Sequence, residues 1–499
     1  MHQPLRTRRP LILAAVMASM AMIAIEATIV STAMPQIAGQ LGDLHLYSWV
    51  FSSFLLAQTA TTVIFGKLAD TFGRKPVLLA GIAVFLVGSV LCGFAWSMPS
   101  LIVFRLLQGV GAGAIQPVGL TVIGDLYSVE ERGKIQGYLA SVWGVSSVVG
   151  PFAGGLIVAD LSWSWIFWIN LPIGLLAAAF FIRFLREEMA PRERSLDFAG
   201  AALFTLAVAA LMVALTEIGT SGAPTVMAAL GLCLVSGAAF FWREARALDP
   251  MMDLKLWSRR TLLTVNAATL LSGMSVIGLT TFLPMYVQGV LGQSALIAGF
   301  TLTAMVLGWP IGATIAAKNF ARFGLRPTLL FGAVLLPIGA LAFLVLSAGM
   351  SPLVAAAGSV VMGFGMGFLS TSAIVIVQSS VGWSERGAAT ASNIFSRNLG
   401  STLGAAALGA VFNVGLQGAE GGAVAFDEIR RLLDGGGALA VDEAARSALE
   451  ASLHLTFWGV FAIAAATLAA ALLVPHVAHA ASVPATAKAE PEDALTVGH

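Results

Sequence analysis

Charge is scarce in this chain. Of its 499 residues only 11% are Asp, Glu, Lys or Arg and 58% are hydrophobic, whereas about a quarter of an ordinary soluble domain is charged. A water-soluble fold is excluded. The 27 Lys and Arg nearly cancel the 26 Asp and Glu, leaving a formal charge of +1. No basic surface is available to hold a phosphate backbone, so nucleic acid is not a partner. Cysteine is almost absent: Cys92 and Cys233 are the only two, each inside an apolar run. The six histidines (His2, His45, His454, His476, His479 and His499) fall near termini or loops. Neither a disulfide framework nor a structural zinc site is supported. The chain also lacks a Gly-x-x-x-x-Gly-Lys-Ser/Thr loop and any soluble stretch large enough to bind a nucleotide, so it does not hydrolyse ATP. With no metal cluster and no nucleophile–base pair in the sequence, an enzyme is not expected, and neither is a cofactor.

What the chain does have is apolar runs. A bilayer core about 30 Å thick needs about 20 apolar residues per helix, and fourteen such segments are read: 11–34, 47–66, 76–97, 99–125, 134–159, 164–185, 197–217, 224–242, 262–289, 295–317, 327–348, 352–378, 387–413 and 453–474. The first follows Arg6, Arg8 and Arg9 as a signal peptide would, but Glu26 interrupts it and thirteen more spans follow. It is read as a retained helix. Positive residues near helix ends stay on the cytoplasmic side. Placing the N-terminus there puts twenty-two of the 27 Lys and Arg inside, so both termini are expected in the cytoplasm and the chain in the cytoplasmic (inner) membrane.

The chain also matches itself. Phe72-Gly73, Lys75-Pro76, Leu78-Leu79 and Gly81 align at an offset of 251 with Phe323-Gly324, Arg326-Pro327, Leu329-Leu330 and Gly332, and Glu131-Arg132-Gly133 aligns at 254 with Glu385-Arg386-Gly387. Both offsets step across eight helices, which implies two parallel six-helix copies separated by two inserted spans. The expected all-α membrane architecture is a six-helix bundle in 1–190, two inserted helices in 191–260, and a second six-helix bundle in 261–475. An outer loop at 416–452 interrupts the second bundle, and a disordered cytoplasmic tail occupies 476–499. Within that loop, Phe426–Leu433 reads as a short amphipathic surface helix.

The loop after the second span reads Gly66-Lys67-Leu68-Ala69-Asp70-Thr71-Phe72-Gly73-Arg74-Lys75. Its glycines allow a tight turn and close helix approach, Asp70 can accept from a helix N-terminus, and Arg74 can pair with a second carboxylate, for which Asp125 is placed. This segment closely resembles the signature of the major facilitator superfamily. The resemblance implies a cytoplasmic latch built from Gly66, Asp70, Gly73, Arg74 and Asp125 that breaks as the two halves rock. Arg105-Leu106-Leu107-Gln108-Gly109 resembles a second motif of that superfamily. Gly150-Pro151-Phe152-Ala153-Gly154-Gly155 resembles its antiporter motif, in which glycines and Pro151 let helices pack backbone to backbone and bend. The junction Trp163–Gly174 and the run Leu196–Gly200 look like those leading into the extra helices of fourteen-span drug:proton antiporters, and Leu283–Gln288 is similar to that family's ninth-helix end, making Tyr286 a cavity candidate.

An ionisable side chain in hydrocarbon costs at least about 2.5–3.5 kcal/mol on insertion scales, so each one is a functional candidate. Glu26 falls about 15 residues into span 1, roughly 22 Å from its inner end at 1.5 Å per residue. Arg105 lies about six residues into span 4 from the opposite face, close to the same level. A Glu26–Arg105 network with Gln108 is therefore expected in the first bundle, with Arg397 and Asn393 facing the same cavity from the second. A carboxyl kept out of water holds a proton near neutrality and yields it when its surroundings change. The residues and the resemblance together point to a proton-gradient-driven antiporter in which an amphipathic or cationic passenger competes with the proton for Glu26. Its expected partners are that small molecule, protons, the lipid bilayer and accessory export proteins. A dedicated exporter of one endogenous compound, such as a lipid, siderophore or amino-acid derivative, and a non-transporting membrane protein remain as alternatives.

Overall fold

A computed structural model of the chain describes residues 9–41, 46–187, 197–217, 223–247, 257–293, 295–418 and 443–476. These contain fourteen long helices and no strand. The first six are α1 (Arg9–Leu41), α2 (Tyr47–Phe72), α3 (Arg74–Gly93), α4 (Met98–Leu126), α5 (Val129–Asp160) and α6 (Asn170–Phe184), the last preceded by one turn at Trp165–Trp168. Then come α7 (Phe198–Glu217) and α8 (Ala223–Glu244). The last six are α9 (Arg260–Met285), α10 (Ala295–Phe323), α11 (Leu325–Leu344), α12 (Pro352–Ser379), α13 (Arg386–Gly418) and α14 (Glu443–Leu472). The surface helix expected at Phe426–Leu433 and nearly all of the tail lie outside the described residues.

Among the described residues, eleven helices are long and apolar enough to cross a membrane. The other three are α5, α13 and α7, whose apolar stretch is only Ala199–Ala214. The first two carry polar residues where protein rather than lipid surrounds them. α5 packs between α1 and α10, and α13 between α9 and α2. Hydropathy also sees only the apolar part of a helix. α5 starts at Val129, with Ser128 accepting from the Glu131 amide and Glu131 accepting from that of Ser128, a reciprocal cap that fixes the start inside the polar stretch.

The duplication is visible in the packing. In the first six helices α1 packs on α5 and α6, α4 on α2 and α3, and α3 on α6. The last six repeat each of these pairings eight helices later: α9 on α13 and α14, α12 on α10 and α11, and α11 on α14. The seam between the copies obeys the same relation, with α5 against α10 and α2 against α13. Repeated residues adopt repeated geometry. Gly73 and Gly324 both hold positive φ, 102° and 86°, which glycine alone adopts without strain. Arg132 donates to the carbonyl of Gly124, and Arg386, 254 residues on, donates to that of Gln378, itself 254 residues beyond Gly124.

The inserted pair sits on this seam. Phe204 of α7 and Phe240 of α8 stack 5.4 Å apart, and Phe204 lies 5.6 Å from Phe395 of α13, with Ala60 and Val63 of α2 in the same cluster. Arg243 closes the hairpin on Asp197 with nitrogen–oxygen distances of 2.7 and 2.9 Å. The rest of α8 is largely exposed, burying Ser236, Phe240 and Glu244, as a lipid-facing helix should.

Close helix crossings rest on glycine. A Cβ on Gly111 of α4 would stand 2.6 Å from the Gly81 carbonyl oxygen and 2.7 Å from the Phe85 Cα of α3. Gly111→Leu should therefore destabilise the first bundle by at least about 1–3 kcal/mol through overpacking, read as a lower thermal midpoint in detergent. Gly231→Leu on α8, where a Cβ meets nothing within 4 Å, should not lower it.

Candidate functional site

A cavity of about 460 Å³ lies between the two bundles. Helices α1, α2, α4 and α5 wall one side, and α9, α10, α12 and α13 the other. Its surface is mostly apolar, with Phe54, Trp143 and Trp309 among the larger side chains. Two arginines, Arg105 and Arg397, contribute the charge, and among the described residues no Asp or Glu lines it.

Behind Arg105 sits Glu26, wholly buried. One carboxylate oxygen pairs with Arg105 Nη1, and the other accepts from Asn170 Nδ2 of α6 at 2.6 Å. Arg105 is held from three further directions: Nη1 donates to Gln108 Oε1 at 2.7 Å, Nε donates to the Val50 carbonyl at 3.2 Å, and the guanidinium lies 4.3 Å above the Phe54 ring. Gln108 in turn donates to Ser89 Oγ of α3 at 2.8 Å. Five helices thus converge on one ion pair. A buried pair repays its desolvation only with further hydrogen bonds, and here Gln108, Asn170 and the Val50 carbonyl supply three. Glu26 and Arg105 meet because their helices run in opposite directions and bring both to one depth. Asn170 and Ser89 escaped sequence reading: a single Asn or Ser in an apolar helix carries little signal, and Asn170, two residues before Pro172, reads as a helix start.

The opposite wall is different. Asn393 of α13 lines the cavity but donates to Asn266 Oδ1 at 3.1 Å and Thr269 Oγ1 at 2.9 Å of α9. Arg397, one turn on, faces the same space with no ion-pair or hydrogen-bond partner for its guanidinium among the described residues. Gln108 lies behind Arg105 rather than on the cavity surface. Tyr286 is not on that surface either: its ring packs 5.6 Å from Phe457, and its hydroxyl lies 3.2 Å from Glu450 Oε1 and 3.5 Å from His454 Nε2. A turn of π-helix, Tyr286–Val290, ends α9 there and directs the side chain toward α14.

At the basic end of the bundle the two copies are tied together. Asp70 accepts from the amides of Gly387 and Ala388, the first turn of α13, at 3.1 and 2.8 Å. This places a carboxylate on the positive end of a helix of the other copy. Arg74 pairs with Asp70 at 3.0 Å and Asp125 at 3.1 Å, donates to the Trp383 carbonyl at 2.9 Å and stacks 4.0 Å over the Trp383 ring. Asp125 also takes Arg386 at 2.6 Å. Gly66 makes the crossing possible, since a Cβ there would stand 3.0 Å from the Gly387 carbonyl. Gly73 makes the turn. Glu187, after α6, accepts from the amides of Arg74 and Lys75 at 2.8 and 2.9 Å, capping α3 where Gly73 offers no side chain. Sequence reading missed it because its partner is backbone 112 or 113 residues away.

The glycines of α5 divide between two neighbours. Gly150 and Gly154 are buried. A Cβ on Gly150 would strike Thr28 of α1, while one on Gly144 would rest 3.7 Å from Pro310 of α10. Pro151 and Gly155 lie in the same helix. At Gly150 α5 therefore approaches the Glu26 helix, and at Gly144 the opposite copy, without a side chain of its own at the contact.

Known proteins match this chain over most of its length. Residues 16–405 match the family model described as Major Facilitator Superfamily. The chain is 35% identical over 411 residues to the multidrug transporter protein MdtP of Bacillus subtilis, covering 82% of this chain and 76% of that one. It is 36% identical over 393 residues to multidrug resistance protein 3 of the same organism, covering 78% and 77%. The human organic anion transporter MFSD10 (TETRAN) shares the fold, with a TM-score of 0.61 at 16% identity over 93% of this chain and all of that one.

Two outcomes follow from these pairs. Arg105→Met should destabilise the protein by about 3–5 kcal/mol, because it strands a buried carboxylate, while the double variant Glu26→Gln/Arg105→Met should regain most of that loss. Thermal unfolding of the four proteins of the cycle measures it. Asp70→Asn should weaken the tie to α13, so that amides of residues 383–392 exchange with deuterium roughly tenfold faster, the equivalent of about 1.4 kcal/mol.

Proposed function

The chain belongs to the major facilitator superfamily, and from that membership we propose that it is a fourteen-span, proton-coupled antiporter exporting amphipathic or cationic compounds across the cytoplasmic membrane by alternating access. Its family and its relatives make it a multi-pass membrane transporter of the multidrug efflux kind rather than an enzyme. Fourteen long helices among the described residues, eleven of them apolar enough to cross a membrane, support the span count. The end carrying Arg74, Lys75, Arg132, Arg259 and Arg386 belongs in the cytoplasm by the positive-inside rule. The latched contacts at that end support reading this arrangement as an outward-facing state.

The observation that carries the coupling is the Glu26–Arg105 pair placed in the cavity wall, with the arginine toward the cavity and the acid behind it. A proton on Glu26 abolishes one charge and leaves Arg105 uncompensated. In surroundings of low dielectric, that positive charge is felt across the cavity. A cationic passenger is then expelled, and one is readmitted when Glu26 gives up its proton on the cytoplasmic side. Proton and passenger exclude each other through Arg105 without sharing an atom. Relatives named for multidrug transport do not favour a dedicated exporter of one endogenous compound.

In proteoliposomes holding an imposed pH gradient, the cationic amphiphile ethidium should move against the proton flow and release protons on addition. Glu26→Gln should reduce this movement to the level of protein-free liposomes while the protein still inserts, with a lowered thermal midpoint because the amide accepts from Arg105 through one oxygen and supplies no counter-charge. Gradient-driven ethidium movement at parental rates in that variant would remove Glu26 from the cycle.

A further inference from the structure

The exchange cycle leaves one charge of the cavity idle. Arg105 is neutralised by Glu26, but Arg397 faces the same space from the opposite copy with no carboxylate opposite it among the described residues. The polar groups of this wall are neutral: Asn393, Asn398 and Ser401 on α13, and Thr269 and Ser272 on α9. Asn393 is already committed to Asn266 and Thr269. An uncompensated guanidinium away from bulk water is unfavourable. Its five donors in a planar fork match a carboxylate with two parallel hydrogen bonds. The rest of the cavity suits an apolar body, with Met20, Ile23, Phe54, Trp143, Val276 and Trp309 on its walls. Its volume of about 460 Å³ falls in the range of sites for drug-sized molecules.

We propose that Arg397 is the seat for the acidic group of the passenger, so that the cavity takes amphipathic carboxylates and the zwitterions among them. The carboxylate docks on the α13 wall while the apolar body lies between Phe54, Trp143 and Trp309. A zwitterion seated this way turns its ammonium toward the Glu26–Arg105 pair, where the proton still excludes it. A pure cation finds no counter-charge on the α13 wall and is held by the apolar walls alone, so the seat adds nothing to its binding. The inference rests on the export reading for the direction of travel only. The seat itself is a property of the cavity at equilibrium.

The test is binding without any gradient, in the full-length protein reconstituted in lipid nanodiscs at pH 7. The probe is 11-(dansylamino)undecanoic acid, followed by its fluorescence against protein-free nanodiscs, with its methyl ester as the uncharged partner of the same shape. The acid should bind roughly tenfold or more tightly than the ester. Arg397→Gln should erase that preference while leaving ester binding in place, which also reports that the cavity is intact, and Arg397→Lys should restore part of it. Equal binding of acid and ester by the parent protein, or an acid preference that survives in Arg397→Gln, overturns the proposal. If the preference is absent while proton-driven ethidium export is present, the seat falls and the transport reading stands. If the preference is present without proton-driven export, the seat stands and the transport reading falls.

Discussion

A charge removed from water must be met by an opposite charge or by enough aligned dipoles, and the arrangement of this protein follows from where that requirement is satisfied. Inside the first copy it is satisfied within the copy itself: Glu26 and Arg105 neutralise each other, and Asn170, Gln108 and the Val50 carbonyl add hydrogen bonds to the pair. At the basic end it is satisfied only when the two copies touch, because Asp70 finds its amides, and Asp125 its second arginine, on the far side of the seam. In the cavity wall of the second copy it is left for something else to satisfy. The three cases differ in what must move to change them. A proton changes the first, separation of the copies the second, and a ligand the third.

The copies are alike in backbone and unlike in chemistry, which is how a duplicated fold becomes directional. Helix pairings and the positive φ shared by Gly73 and Gly324 repeat, since packing and turn geometry constrain both copies equally. The charges do not. Offset by 251 residues, the positions of Asp70 and Arg74 hold Ala321 and Leu325, so the latch exists once, on the α2–α13 face of the seam, and has no twin on the α10–α5 face. That second face is made of small residues instead, with Gly137 of α5 set against Thr314 and Gly144 against Pro310 of α10. One crossing is held by charge, and at the other glycines let the helices come close, as a bundle that rocks about its smoother side requires.

What could be read in the sequence was whatever leaves a strong local mark. Apolar runs, the glycine and charge pattern around Asp70, and the two intramembrane charges of the first copy are of that kind, because each breaks the composition around it. Depth followed from counting residues along helices of known direction, which is why Glu26 and Arg105 could be paired across 79 positions. Partners that are neutral and small left no mark: Ser89 and Asn170 are ordinary residues until folding brings them to the pair. Backbone acceptors such as Val50 and backbone donors such as Gly387 are invisible in any sequence, and so is the course of α9 at its end, where one extra residue in the last turn carries Tyr286 away from the cavity. Helix boundaries failed for a related reason, since the reciprocal cap at Ser128 and Glu131 lies in a stretch too polar for a hydropathy window to include.

The latch and the cavity are joined by the helices themselves. α4 carries Arg105 and Gln116 on the cavity and Asp125 in the latch; α2 carries Phe54 and Gln58 above and Asp70 below; α13 carries Arg397 and Asn393 above and offers its first-turn amides to Asp70. A helix is stiff over these 26 to 33 residues, so none of the three can leave the latch without displacing the groups it contributes to the cavity wall. Breaking these cross-seam charge contacts together is costly, and compensation has to come from interactions made in the other arrangement. Any change in the balance of charge around Arg105 and Arg397 acts on those same helices, at the end opposite the latch. The protein therefore needs no separate element to carry a signal from binding to gating: the wall that senses charge and the lever that opens the seam are the two ends of one set of helices.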